Sequence, residues 1–142
     1  MLNWEENTSK MFKNLLVDVS HVVAKGKKED VLNAVEGWSF DYNTEGKVEI
    51  TIDENFMDRT EIDVRDDVTR IGNSNVSNEY LLGILEDISN TKIIAKSKGR
   101  PMKKWWGKKI AIDYLASDTE DVPVIIKSDK EWYVVAPVVI ND

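Results

Sequence analysis

The chain has no cysteine among its 142 residues. That excludes a disulfide framework, a thiolate metal site and a cysteine nucleophile. It holds a single histidine, His21, and no Gly-x-Ser-x-Gly elbow. Adjacent residues on a helix diverge by about 100°, so Ser20 cannot face His21 there, and a Ser-His-Asp triad has to borrow its serine and aspartate from elsewhere. Long apolar runs are missing too. Leu15-Leu16-Val17 stops at Asp18, and the run from 134 to 140 is interrupted by Pro137, whereas a spanning helix needs roughly 20 apolar residues. The first residues, Met1-Leu2-Asn3-Trp4-Glu5-Glu6, are acidic where a signal peptide is basic. The expectation is a cytoplasmic protein that does not enter a membrane. No phosphate loop, dinucleotide fingerprint, internal repeat or low-complexity tract occurs.

What is present is ordinary for a folded domain. Hydrophobic residues make up 42% and charged residues 32%, and the length suits one domain, 1–142. The net charge of −7 favours solubility and repels nucleic acid globally.

Apolar spacing predicts the element order. Phe12, Leu15, Leu16, Val19, Val22 and Val23 recur at helical spacing, with Asn3 and Glu6 as a capping pair and Gly26 as a stop, which predicts a helix over 3–25. A second helix is expected over 28–36, with Val31, Leu32 and Val35 inward. Val48, Ile50 and Ile52 alternate with charged residues, the mark of a half-buried strand, with Gly46 as the turn before it; Ile62 and Val64 give a weaker strand. Residues 72–75 read as a loop. Tyr80, Leu81, Ile84, Leu85 and Ile88 return to helical spacing with Ser77 as a cap, weakened by Gly83. Strands are expected to begin at Ile93 and to run over 105–116, 122–127 and 132–140, with turns at 118–121 and 128–131. Helices first and a β-meander last give an α+β fold: N-terminal helices packed on a curved antiparallel sheet.

The segment 105–136 resembles the last strands of the NTF2-like superfamily: a penultimate strand, the polar turn Lys127-Ser128-Asp129-Lys130, and Trp132 opening the last strand. The resemblance implies a cone-shaped domain with a pocket between sheet and helix. It implies no activity, since members include enzymes, transport factors, immunity proteins and binding domains.

Two charged stretches stand out. Asp53, Glu54, Asp58, Glu61, Asp63, Asp66 and Asp67 lie close together. A calcium loop starting at Asp53 fails, because Met57, Asp58 and Val64 occupy positions that need a ligand, a glycine and a ligand. Asp58, Glu61, Asp63, Asp66 and Asp67 are therefore read as a solvated edge or as a contact surface for a basic partner. Residues 92–112 hold eight bases and no acids. There Lys103, Lys104, Trp105 and Trp106 interleave cations with indoles, which suits sheet-edge protection, an acidic protein or, less well, single-stranded nucleic acid.

The leading expectation is a protein-binding module without catalytic residues, cofactor or metal: an immunity or inhibitor protein acting on a basic partner, with a second copy of the chain as a further candidate partner. The competing expectation is a small-molecule or enzymatic pocket between helix and sheet, with His21 and Tyr114 as candidates.

Overall fold

The computed structural model describes residues 16–18, 23–36, 44–52, 68–94, 102–120 and 122–138. In chain order they form β1 (Leu16–Asp18), β2 (Val23–Gly26), α1 (Lys28–Glu36), β3 (Thr44–Ile52), β4 (Val68–Ile71), β5 (Ser74–Ser77), α2 (Asn78–Ser89), a single 3₁₀ turn (Lys103–Trp105), β6 (Lys108–Ala116), β7 (Val124–Lys127) and β8 (Trp132–Val135). Six strands make one antiparallel sheet in the order β1-β2-β8-β7-β6-β3, and β4 pairs with β5 apart from it. The architecture is α+β.

The expected helix over 3–25 is corrected where it can be followed. Leu16–Asp18 and Val23–Gly26 are paired strands, with Val17 opposite Ala24. β2 then joins β8, with Ala24 opposite Val134 and Lys25 opposite Tyr133. Val17 and Val23 are β-branched and suit strands, and the partner that stabilises β2 lies more than a hundred residues along the chain. Gly26, expected as a helix stop, is the last residue of β2. Residues 3–15 and 19–22, His21 included, lie outside the described residues, as does the weak strand around Ile62 and Val64.

Directly opposed residues share a face of a sheet, so the register sorts the side chains. On one face, Tyr133, Ile126, Ile112 and Ile50 meet Leu81, Leu82, Ile84 and Leu85 of α2 and Ile71 and Val76 of the β4–β5 hairpin, forming the main core. On the other, Ala24, Val134 and Ile125 are fully buried, and α1 packs on β2 and β8 with Val31 and Val35 buried. Leu32, expected inward, is 38% exposed, one position off the stripe that Val31 and Val35 set. β7 is buried on both sides: Val124, Ile125 and Ile126 are all inaccessible to solvent.

Towards β3 the second face becomes polar. Lys47 lies opposite Asp113 with Nζ 3.8 Å from Oδ1, Lys109 Nζ is 3.2 Å from Glu49 Oε2, and Lys127 Nζ is 3.9 Å from Glu45 Oε1. The first two are exposed pairs and the third has a half-buried lysine; pairs so open to solvent are worth little each.

Two glycines fix close approaches. Gly46 lies inside β3 instead of forming a turn, and a Cβ there would come 2.7 Å from the Tyr114 hydroxyl oxygen opposite, so the ring lies across the bare backbone. Gly72 and Asn73 close the β4–β5 hairpin, with Ser74 and Asn75 in β5 and not in the expected loop. Gly72 has φ +59 and Asn73 does not share that sign, which is a type II′ turn with glycine at its first central position. A Cβ at Gly72 would meet the Ala116 Cβ at 2.5 Å, so the hairpin tip rests on the end of β6. Buried Ser74 completes this joint: its Oγ donates to the Val122 carbonyl (2.7 Å) and accepts from the Val122 N–H (3.1 Å).

α2 begins where expected. Ser77 is its extended N-cap, though its hydroxyl makes no capping bond; Asn78, the first helical residue, is buried and bonds to Thr69 of β4. Asn90 ends the helix in the left-handed region (φ 52). The order of the meander β6-β7-β8 matches the reading of the sequence, with shorter strands: β6 begins at Lys108, β7 at Val124, β8 ends at Val135, and Val138 belongs to an isolated bridge with Asn75.

Candidate interaction surface

The expected strand over 105–116 begins only at Lys108. Lys103–Trp105 make one 3₁₀ turn, closed by the Trp105 N–H to the Met102 carbonyl (2.8 Å) and the Trp106 N–H to the Lys103 carbonyl (3.1 Å). Gly107, at φ +77, then reverses the backbone into β6. Strand alternation therefore does not set the directions of the two indoles.

Trp105 is half-buried and packs on the main core; its Nε1 donates to the Lys92 carbonyl at 3.1 Å. The Met102 N–H also bonds to the Ile93 carbonyl, and Ile93 is fully buried. These ties anchor the turn to the segment that follows α2. Trp106 is 36% exposed, with Lys103 Nζ 6.0 Å from its ring centroid. Lys108 Nζ stands 4.9 Å from the Trp105 centroid. Such contacts at exposed sites are worth about 0.5–1 kcal/mol each. Lys103, Lys104, Lys108 and Lys109 are exposed. The result is a fixed turn presenting one indole among cations.

The other expected contact residues, Asp58, Glu61, Asp63, Asp66 and Asp67, lie outside the described residues, as does the Asp53 loop.

Two features escaped the sequence reading. Trp132, at the start of β8, is flanked by Lys28 of α1 (5.4 Å to the centroid) and Lys127 of β7 (5.9 Å). Two registers bring them together: Ile126 opposite Tyr133 puts Lys127 beside Trp132, and Gly26 opposite Trp132 brings in Lys28, two residues on. Within that turn Ser128 Oγ accepts from the Glu131 N–H at 3.2 Å.

The second is a polar tie. Asp87 Oδ2 accepts from the Tyr133 hydroxyl (2.6 Å) and from Lys25 Nζ (2.8 Å), linking α2 to β8 and β2. The Asp87 carboxyl is held below the ordinary carboxylate range, first by the Lys25 hydrogen bond and then by that of Tyr133. Burial, followed by the bond to Asp87, pushes the Tyr133 phenol well up. A phenol so placed keeps its proton, the reverse of an activated base or nucleophile, and the group serves as a structural clasp.

Tyr114, the other candidate for pocket chemistry, is partly buried against the main core across Gly46. Among the described residues no three His, Cys, Asp or Glu side chains are grouped to hold a metal ion, and no helix is long and apolar enough to cross a membrane. No protein-family model, curated protein or solved structure matches the chain.

Proposed function

We propose that the chain is a protein-binding module that acts by contact, and that the basic segment 103–109, the 3₁₀ turn and the start of β6, receives an acidic surface of its partner. Trp106 carries this reading: an indole 36% exposed, beside the Lys103 ammonium, on a turn that Trp105 pins to the core. Interfaces concentrate their energy in a few aromatic and cationic anchors. A pre-set turn lowers the entropy lost on binding. The surrounding lysines set the sign of the partner and steer its approach.

The test titrates a polyglutamate peptide into the chain and follows the backbone amide resonances of residues 102–109. The expected result is a salt-sensitive shift that Trp106→Ala removes and that Lys103→Glu with Lys104→Glu weakens at least about fivefold. Tighter binding of a single-stranded oligonucleotide than of the peptide would replace this reading with nucleic-acid binding.

A narrower form of the proposal makes the chain an immunity or inhibitor protein whose acidic stretch, with Asp58, Glu61, Asp63, Asp66 and Asp67, faces a basic partner. It rests on composition. Replacing Glu61 and Asp63 by Lys then slows association with that partner at low salt and less at high salt; unchanged rates at both would end this form. Membership of the NTF2-like superfamily is likewise a proposal, supported by the turn at 128–131 and by Trp132 opening β8, while the β1–β2 pair departs from the element order it implies.

A further inference from the structure

β3 closes one end of the six-stranded sheet, and among the described residues its neighbour lies only on the β6 side. Its nine residues carry Glu45, Lys47 and Glu49 exposed on one face. An uncovered strand edge is a template for another strand, and charged residues normally guard it. Here the charges alternate in sign, so whether they repel or attract a second β3 depends on the register.

Outward-pointing backbone groups recur every second residue, so a two-fold antiparallel pairing must place residues of the same parity opposite one another. Centred on Lys47, it sets Lys47 against Lys47 and Glu45 against Glu49. Centred on Glu49, it sets Glu49 against itself. Centred on Gly46 or Ile50, it uses only part of the strand. Centred on Val48, it runs along the strand and sets Lys47 against Glu49 twice, with Glu45 opposite Thr51. We infer that two copies of the chain join edge to edge through β3 in the Val48-centred register, giving one continuous antiparallel sheet with a two-fold axis at Val48.

Existing contacts extend the match. Lys47 is 3.8 Å from Asp113, and Glu49 is 3.2 Å from Lys109. In the pair, the order Asp113, Lys47, then Glu49 and Lys109 of the second copy alternates in sign across the interface. The contact is isologous, so it closes at two copies, and backbone pairing supplies the affinity as in other β-augmented complexes.

The test is sedimentation equilibrium over a concentration series reaching the high micromolar range. The wild-type chain is expected to form a dimer. Lys47→Glu alone and Glu49→Lys alone each put like charges in opposition and should raise the dimer dissociation constant at least about tenfold. The double variant Lys47→Glu with Glu49→Lys restores opposite charges across the two-fold axis while opposing Asp113 and Lys109 within each copy, and should dimerise more tightly than either single variant. Hydrogen exchange of the wild-type chain gives a readout that needs no variant: alternate amides over 45–51 should gain protection as concentration rises. A wild-type chain that stays monomeric, single variants that dimerise unchanged, a double variant no tighter than either single one, or β3 amides insensitive to concentration would each overturn the inference.

Discussion

The Tyr133 hydroxyl donates to Asp87 Oδ2 across 2.6 Å while its ring lies in the main core. One side chain thus fills apolar space and fixes the end of α2 to the middle of the sheet, with Lys25 on the same oxygen. Tyr133→Phe removes only the hydroxyl and should cost about 1 kcal/mol. Urea denaturation of the two proteins measures it, and equal midpoints would show that the clasp contributes nothing.

The same clasp predicts a pH dependence. Asp87 is depressed in the folded state, so its contribution is full above the unfolded-state value and is lost as pH falls through the folded one. Lys25 is raised, first by its bond to Asp87; its contribution is full below the unfolded-state value and lost as pH rises through the folded one. Asp87→Asn should therefore be less stable than wild type at neutral pH, with the gap closing below about pH 4. Urea titrations across that range check it; a gap that stays constant into acid would contradict the assignment.

Gly83 lies on the exposed side of α2 with nothing within 4 Å of an added Cβ. Gly83→Ala should stabilise the protein by about 1 kcal/mol through helix propensity and a less disordered unfolded chain. Thermal and denaturant unfolding report it, and a destabilised variant would mean that this side of α2 is covered.

Leu81 and Leu32 are the same residue type on two helices, 0% and 38% exposed. Leu81→Ala should cost roughly 2–5 kcal/mol, and Leu32→Ala no more than about 0.5 kcal/mol. Similar losses at both sites would place Leu32 in a buried contact.

The two indoles of the basic turn should separate in the same way. Trp105→Ala removes core contact and the bond to Lys92 and should cost about 1–3 kcal/mol. Trp106→Ala should leave stability within about 0.5 kcal/mol while removing peptide binding. Loss of folding in both variants would show that the turn serves the core alone.

The legible parts of this fold are those whose signals are local. α1 and α2 are legible because their apolar residues recur at helical spacing, with Ser77 at the start of α2. The strands around Val48, Ile112, Ile125 and Val134 alternate or run apolar between polar turns. The β1–β2 pair was not readable: its valines fit a helical stripe equally well, and the choice is made by pairing Val23 with Val135, which no local period reports. Trp105 and Trp106 suit a strand by residue type, and the positive φ of Gly107 that separates them from β6 has no local apolar signal. The Lys25–Asp87–Tyr133 clasp joins three distant elements and has no sequence signature. Of the expected contact residues, the basic set forms a defined turn, and the acidic set lies outside the described residues.

The place of β8 in the sheet has a consequence for biosynthesis. It is translated after every other strand of the sheet, yet it sits between β2 and β7. Until the ribosome has released it, β7 and the β1–β2 pair have no shared neighbour, α1 lacks one of the two strands it packs on, and the Asp87 carboxylate has no phenol to receive. Pairing residues near 23 with residues near 135 also closes a long loop, which slows folding. The nascent chain must therefore hold its amino-terminal strands unsatisfied, with edges open to chaperones or to neighbouring chains, and the domain closes only once that last strand is inserted.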